Sequence, residues 1–128
     1  IVNIENIVGG YGNDSITGSD LDNLLNGGAG GVDTIAGLGG NDVYVVSGTE
    51  DTILENTDEG IDQVQSAVNY TLGANIEELE LTGDLATTGT GNSLDNLLAG
   101  NTLNNHLYGG LGNDTLYGNS GNDTLWGE

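Results

Sequence analysis

Gly109–Tyr117 reads GGLGNDTLY and Gly118–Trp126 reads GNSGNDTLW. Laid one above the other, the two nonapeptides share Gly at positions 1 and 4, Asn-Asp at 5 and 6, Thr-Leu at 7 and 8, and an aromatic residue at 9. Counting back in ninths gives Gly100–Tyr108 (GNTLNNHLY) and Gly91–Ala99 (GNSLDNLLA). The frame returns nearer the N-terminus as Gly9–Thr17 (GGYGNDSIT), Gly18–Asn26 (GSDLDNLLN), Gly28–Ala36 (GAGGVDTIA) and Gly37–Val45 (GLGGNDVYV), with Gly27 read as one inserted residue. A further row, Val46–Leu54 (VSGTEDTIL), keeps the Asp and the Ile without most of the glycines. Position 8 is bulky in every row: Ile16, Leu25, Ile35, Tyr44, Ile53, Leu98, Leu107, Leu116 and Leu125.

One bulky residue per nine, flanked by tolerant positions, suits a very short strand whose centre points inward. The six residues before it are rich in Gly, Asn and Asp, the composition of a turn with left-handed or closely approaching backbone. Strand, turn, strand, turn closes one lap in two nonapeptides. Laps stacked as parallel strands predict an all-β fold, a parallel β-roll or β-solenoid with a thin core of position-8 side chains. The repeat blocks are 9–54 and 91–128. Residues 1–8 read as the tail end of a preceding strand unit. Residues 55–90 read as an irregular, strand-rich segment of the same solenoid: Val64, Ser66, Val68, Tyr70 and Leu72 alternate, as do Ile76, Leu79 and Leu81 against Glu78 and Glu80 with one slip. Asp58–Glu59 and Asp84–Leu85 fall in expected loops, and no long helix is expected.

Composition narrows the function. The 128 residues carry 20 Asp plus Glu and no Lys or Arg, a net charge of −20. Nucleic-acid binding needs basic side chains to displace phosphate counterions, and anionic membrane surfaces repel such a chain. No apolar run approaches a membrane span. Without Cys there are no disulfides, thiolate sites or Cys nucleophiles. Leu, Ile and Val make up 33 of 128 residues, about 26% and above the roughly 20% of disordered chains. Catalysis finds little to work with. His106, the single His, sits at outward position 7, and the neighbours Glu77 and Glu78 should point to opposite faces of a strand. The chain is read as a non-enzyme with no catalytic residues.

A cation is the partner this charge requires. Position 6 is Asp in six rows (Asp14, Asp33, Asp42, Asp51, Asp114, Asp123) and Asn in three. Open turns expose carbonyls and the Asp supplies charge, so two turns one lap apart could offer the six or more oxygens that Ca²⁺ accepts. Several calcium ions are expected at these Asp residues, in turns shaped by Gly9, Gly12, Gly28, Gly30, Gly37, Gly39, Gly109, Gly112, Gly118 and Gly121. Alternation between two edges stacks Asp14, Asp33 and Asp51 on one of them. Asp42 faces Asn23, Asp114 follows Asn96 and Asp123 follows Asn105. The Asn rows carry Leu21, Leu94 or Leu103 at position 4. These are read as calcium-free turns in which the Leu folds inward, worth on the order of 2 kcal/mol each. Tyr108 and Trp126 share outward position 9 and should stack, with Tyr117 on the other face.

The rows resemble the RTX (repeats-in-toxin) haemolysin-type calcium-binding nonapeptide G-G-x-G-x-D-x-U-x, a repeat known to bind Ca²⁺. Gly9–Thr17 and Gly109–Tyr117 match at every defined position, and Gly118–Trp126 departs only at Asn119. Asn41–Val46 (NDVYVV), Glu55–Asn56, Tyr70–Leu81 (YTLGANIEELEL) and Gly89–Asn96 are similar to segments found between such repeats. The resemblance implies a bacterial protein that leaves the cell unfolded by type I secretion and folds on meeting extracellular calcium. It further implies an accessory module of a larger secreted protein. In that family a secretion signal follows the repeats, so a chain stopping at Glu128 reads as an excised module. The alternative is a calcium-dependent adhesin or a self-assembling filament or surface-layer module, joined end to end or through Tyr108 and Trp126.

Overall fold

The computed structural model describes residues 5–127. Residues 1–4, half of the expected leading tail, and residue 128 of the second repeat block lie outside the described residues. Every regular element is a β-strand of two to five residues. One face is a seven-stranded parallel sheet in the order β1 (Asn6–Gly10), β3 (Leu24–Gly28), β5 (Val43–Val46), β7 (Gln63–Ser66), β9 (Glu78–Leu81), β11 (Leu97–Ala99) and β13 (Thr115–Tyr117). The opposite face is divided. β2 (Ser15–Thr17), β4 (Thr34–Ala36) and β6 (Thr52–Leu54) form a three-stranded sheet, and β8 (Tyr70–Thr71), β10 (Thr88–Thr90), β12 (His106–Tyr108) and β14 (Thr124–Trp126) a four-stranded one. Consecutive strands lie on opposite faces, so the chain winds as a β-solenoid of about seven laps. No helix among the described residues is long and apolar enough to cross a membrane.

Register places the bulky residues in columns. On the long sheet Ile7, Leu25, Tyr44, Val64, Leu79, Leu98 and Leu116 lie side by side. On the other face Ile16, Ile35 and Ile53 form one column, and Tyr70, Gly89, Leu107 and Leu125 another. Leu25, Ile35, Tyr44, Val64, Leu98 and Leu107 are fully buried. Gly89 keeps its place because a Cβ there would lie 3.0 Å from Leu79 and 3.1 Å from Leu107, whose side chains fill the gap. Burial fades along the last lap, where Leu125 is 43% exposed.

Residues 55–90 complete the solenoid with their own period. Position-6 partners lie 18 or 19 residues apart in the repeat blocks, but 20 between Asp42 and Asp62 and 15 between Asp62 and Glu77. Val64, Leu72, Ile76, Leu79 and Leu81 are buried, as is Ser66, whose hydroxyl donates to Val68 O at 2.8 Å. The break in the second face falls here, between β6 and β8.

Candidate metal centre

The carboxylates at position 6 form two ladders, one along each edge. On the edge that feeds the shorter sheets, Asp14 N–H donates to Asp33 Oδ1 at 2.9 Å, Asp33 N–H to Asp51 Oδ1 at 3.1 Å, and Asn105 N–H to Asp123 Oδ1 at 2.8 Å. On the edge that feeds the long sheet, Asn23 N–H donates to Asp42 at 2.7 Å, Asp42 N–H to Asp62 at 2.8 Å, Asp62 N–H to Glu77 Oε2 at 3.0 Å and Asn96 N–H to Asp114 at 3.0 Å. One oxygen of Asp33, Asp42, Asp51, Asp62, Glu77, Asp114 and Asp123 is thus used to clamp the lap before it. In Asp14, Asp33, Asp42, Asp114 and Asp123 the Oδ2 oxygen turns toward a glycine of the same turn. A Cβ on Gly9, Gly27, Gly37, Gly109 or Gly118 would come within 1.9 to 2.5 Å of it. In Asp14, Asp42, Asp62 and Asp114 this second oxygen is buried and accepts no hydrogen bond. An ionised oxygen without donors is costly in the interior. A bound cation removes that cost, and carboxylate plus backbone carbonyl is a hard, all-oxygen donor set suited to calcium.

The family model described as RTX calcium-binding nonapeptide repeat (4 copies) matches residues 3–31, 28–53 and 87–128. The chain belongs to that family. An endo-1,3-1,4-β-glycanase, ExsH of Rhizobium meliloti (strain 1021), is 34% identical over 90 residues, which is 70% of this chain and 17% of that protein. No solved structure matches. The chain thus spans about one sixth of the curated relative it matches.

In the three Asn turns of this RTX chain an amide stands where the carboxylate stands elsewhere. Asn23, Asn96 and Asn105 each accept from the second residue of their own row, Ser19, Asn92 and Asn101, at 2.7, 2.7 and 2.9 Å. Asn96 Nδ2 donates to Ile76 O at 3.1 Å and Glu77 O at 3.2 Å, and Asn105 Nδ2 to Ala86 O at 3.4 Å. Asn92 and Asn101 add bonds of 2.7 Å to Ile76 O and Ala86 O. The amide N–H groups meet the carbonyls of the neighbouring lap with no formal charge. The expectation that leucine fills these turns is corrected: Leu21 is 45% exposed, and Leu94 and Leu103 are only partly covered. Hydrogen bonding, not apolar burial, closes them.

Register also moves some glycines. Gly27, expected to be an insertion, takes the first place of its row: its Cβ would lie 2.2 Å from Asp33 Oδ2. Gly28 pairs with Gly10 at the second place. The extra residue therefore lies inside the turn, at Ala29–Gly30, and the fourth-place glycine is Gly31, whose φ of 95° and approach to Gly12 O exclude a side chain. Gly40, with φ of 112°, plays that part in the next row; Gly39 has room around it. Asn119, replacing the second Gly, adopts φ of 63°, which Asn tolerates, and donates to Gly100 O at 2.6 Å.

Asp62, outside the nonapeptide frame, was missed by the spacing. The signal available was the Asp-Gln-Val of 62–64, which repeats the Asp-x-apolar order of positions 6 to 8. Burial pushes Asp42 up and raises Asp62 to about 6 from 3.8. Glu55 is raised by burial to about 8 from 4.5, although it accepts a hydrogen bond from the Tyr44 hydroxyl. Tyr44 is itself pushed up, first by burial and then by that bond. At the far end of the chain His106 is exposed and stacks on Trp126 at 5.8 Å, while Tyr108 stacks on the same indole at 4.5 Å.

Proposed function

We propose that this RTX chain is a module that folds when calcium fills its Asp turns. Asp14, Asp33, Asp42, Asp51, Asp114 and Asp123 are its charged ligands, and the turn glycines hold carbonyls within reach. The single observation that carries this reading is the set of buried, donor-free Oδ2 atoms in Asp14, Asp42, Asp62 and Asp114 on a chain without Lys or Arg. Calcium low inside a cell leaves the chain self-repelling and loose; calcium outside closes it. The module acts as a structural, secretion-associated part of a larger extracellular protein. The glycanase relative, of which it matches about one sixth, supports a partner domain that is an enzyme.

Circular dichroism during a calcium titration, with magnesium as control, tests this. Disorder in chelator and cooperative β-structure near ~0.1–1 mM calcium are expected. Full β-signal in chelator would refute it. The exposed Tyr108–Trp126 stack favours a second reading, a calcium-dependent adhesin or filament module. Particle mass that rises with calcium supports that reading, and a monomer at every calcium level excludes it.

A further inference from the structure

We propose that Asp42, Glu55 and Asp62 form a side-chain cage for one calcium ion, with Tyr44 in its wall and two of its three carboxylates, Glu55 and Asp62, coming from outside the nonapeptide repeats. The proposal rests on the reading of the chain as a calcium-binding module and adds to it a site of different construction. The segments matched by the family end at residue 53 and resume at 87, so Glu55 and Asp62 belong to no matched repeat.

Register shows how unusual Glu55 is. Ala36 pairs with Leu54, so Glu55 occupies the place held by Gly37 one lap earlier. In that earlier turn a Cβ would fall on Asp42 Oδ2. The later turn tolerates a side chain because its position-6 residue, Asp62, lies seven residues on from Glu55, whereas Asp42 lies five on from Gly37. The longer loop, with Asp58 at φ of 63°, gives the room. Glu55 then points inward, where Tyr44, the one aromatic residue among the repeat rows' position-8 side chains, donates to its Oε2.

That bond leaves Glu55 Oε1 buried without a partner, together with Asp42 Oδ2 and Asp62 Oδ2. Asp42 and Asp62 are each only 1% exposed. One oxygen from each of the three carboxylates lies within 4.8 Å of the others. A calcium coordination sphere of ~2.4 Å radius spans about that distance, so three such oxygens fit around one ion. Burial favours calcium over magnesium, which sheds its waters reluctantly. Oxygen-only donors disfavour the softer transition metals.

Counting bound calcium by equilibrium dialysis tests the cage. Glu55→Gln should bind one ion fewer per chain than the parent at calcium levels that saturate the rest. Asp84→Asn, which loses the same charge on an exposed turn, should bind the parental number. An unchanged count in Glu55→Gln, with β-structure intact, overturns the cage while leaving the calcium module standing; no binding by the parent chain overturns both. A variant that fails to fold is replaced by terbium luminescence excited through tyrosine. The parent should show a calcium-displaceable component that Tyr44→Phe loses, and emission unchanged in Tyr44→Phe overturns the cage.

Discussion

Gly37 and Gly39 stand in the same turn, and neither has a left-handed backbone, yet their substitution by alanine should have opposite effects. A Cβ on Gly37 would lie 1.9 Å from Asp42 Oδ2 and 2.2 Å from Tyr44 Oη; on Gly39 the nearest atom is 3.6 Å away. The Asp42 carboxylate cannot retreat without giving up the 2.7 Å bond it accepts from Asn23 N–H, inside a turn where Asp42 is 1% exposed. A hydrogen bond to a charged group contributes about 1.5–3 kcal/mol. For a chain of this size each kcal/mol moves the melting temperature by roughly 3–6 °C, so Gly37→Ala should melt about 5–15 °C lower. Gly39→Ala instead stiffens the unfolded chain at a compatible site and should gain about 0.4–1 kcal/mol. The assay is thermal unfolding in saturating calcium, followed by far-ultraviolet circular dichroism. Equal melting of the two variants would refute the close-packed carboxylate turn.

Three further outcomes are expected. In metal-free buffer the pKa values of Asp62 and Glu55, raised to about 6 and about 8, mean that the folded state binds more protons than the unfolded one. Their contribution is therefore fully present below the unfolded values and is lost as pH rises toward 8, so residual β-structure should grow on acidification from pH 8 to 4; growth on alkalinisation contradicts the assignment. Asn96→Asp places an oxygen against Ile76 O and Glu77 O, now held at 3.1 and 3.2 Å by the amide. It should lower stability at limiting calcium by about 1–3 kcal/mol and recover in excess calcium; a loss that calcium does not mend points elsewhere. Leu79→Ala, at 1% exposure, should lose about 2–5 kcal/mol in denaturant titrations, and Leu125→Ala, at 43%, about 1 kcal/mol or less; similar losses would deny the burial gradient.

The solenoid was legible because position 8 carries the same physical demand in every row. An inward residue between two turns must be bulky, and from Ile16 to Leu125 it is. The pairing of Asp14 with Asp33 and of Asp33 with Asp51 followed from alternation alone, and the backbone-to-carboxylate bonds have that order. Gly27 was misplaced because Gly27, Gly28, Gly30 and Gly31 allow two alignments of equal composition; only contact with Asp33 separates them. Leu21, Leu94 and Leu103 misled because hydrophobicity suggests burial, whereas the turn is closed by polar groups of Asn whose hydrogen-bond partners lie about a lap away. Glu55 is legible in the sequence only as part of a segment similar to those between repeats, with no ligand role, since a nine-residue period does not show the longer loop that lets a side chain enter where the repeat allows only glycine.

The two kinds of turn answer one electrostatic problem differently. Carbonyls of one lap face the position-6 side chain of the next, and something positive must stand between them. Asn96 and Asn105 supply amide hydrogens from the chain itself, so those laps close on neutral hydrogen bonds. Asp14, Asp42, Asp62 and Asp114 supply further negative charge and leave an oxygen without a donor, so their laps are incomplete as protein alone. Had every turn been of the Asn kind, the solenoid would need no ion and could close in any compartment. Had every turn been of the Asp kind, repulsion would have no neutral lap to interrupt it. With no Lys or Arg anywhere in the sequence, neither residue type can neutralise the donor-free oxygens of these four turns, whereas a proton or an external cation can. At neutral pH protons are scarce. Under the proposed calcium-driven folding, the choice between Asn and Asp at one position in nine sets how strongly the fold depends on calcium.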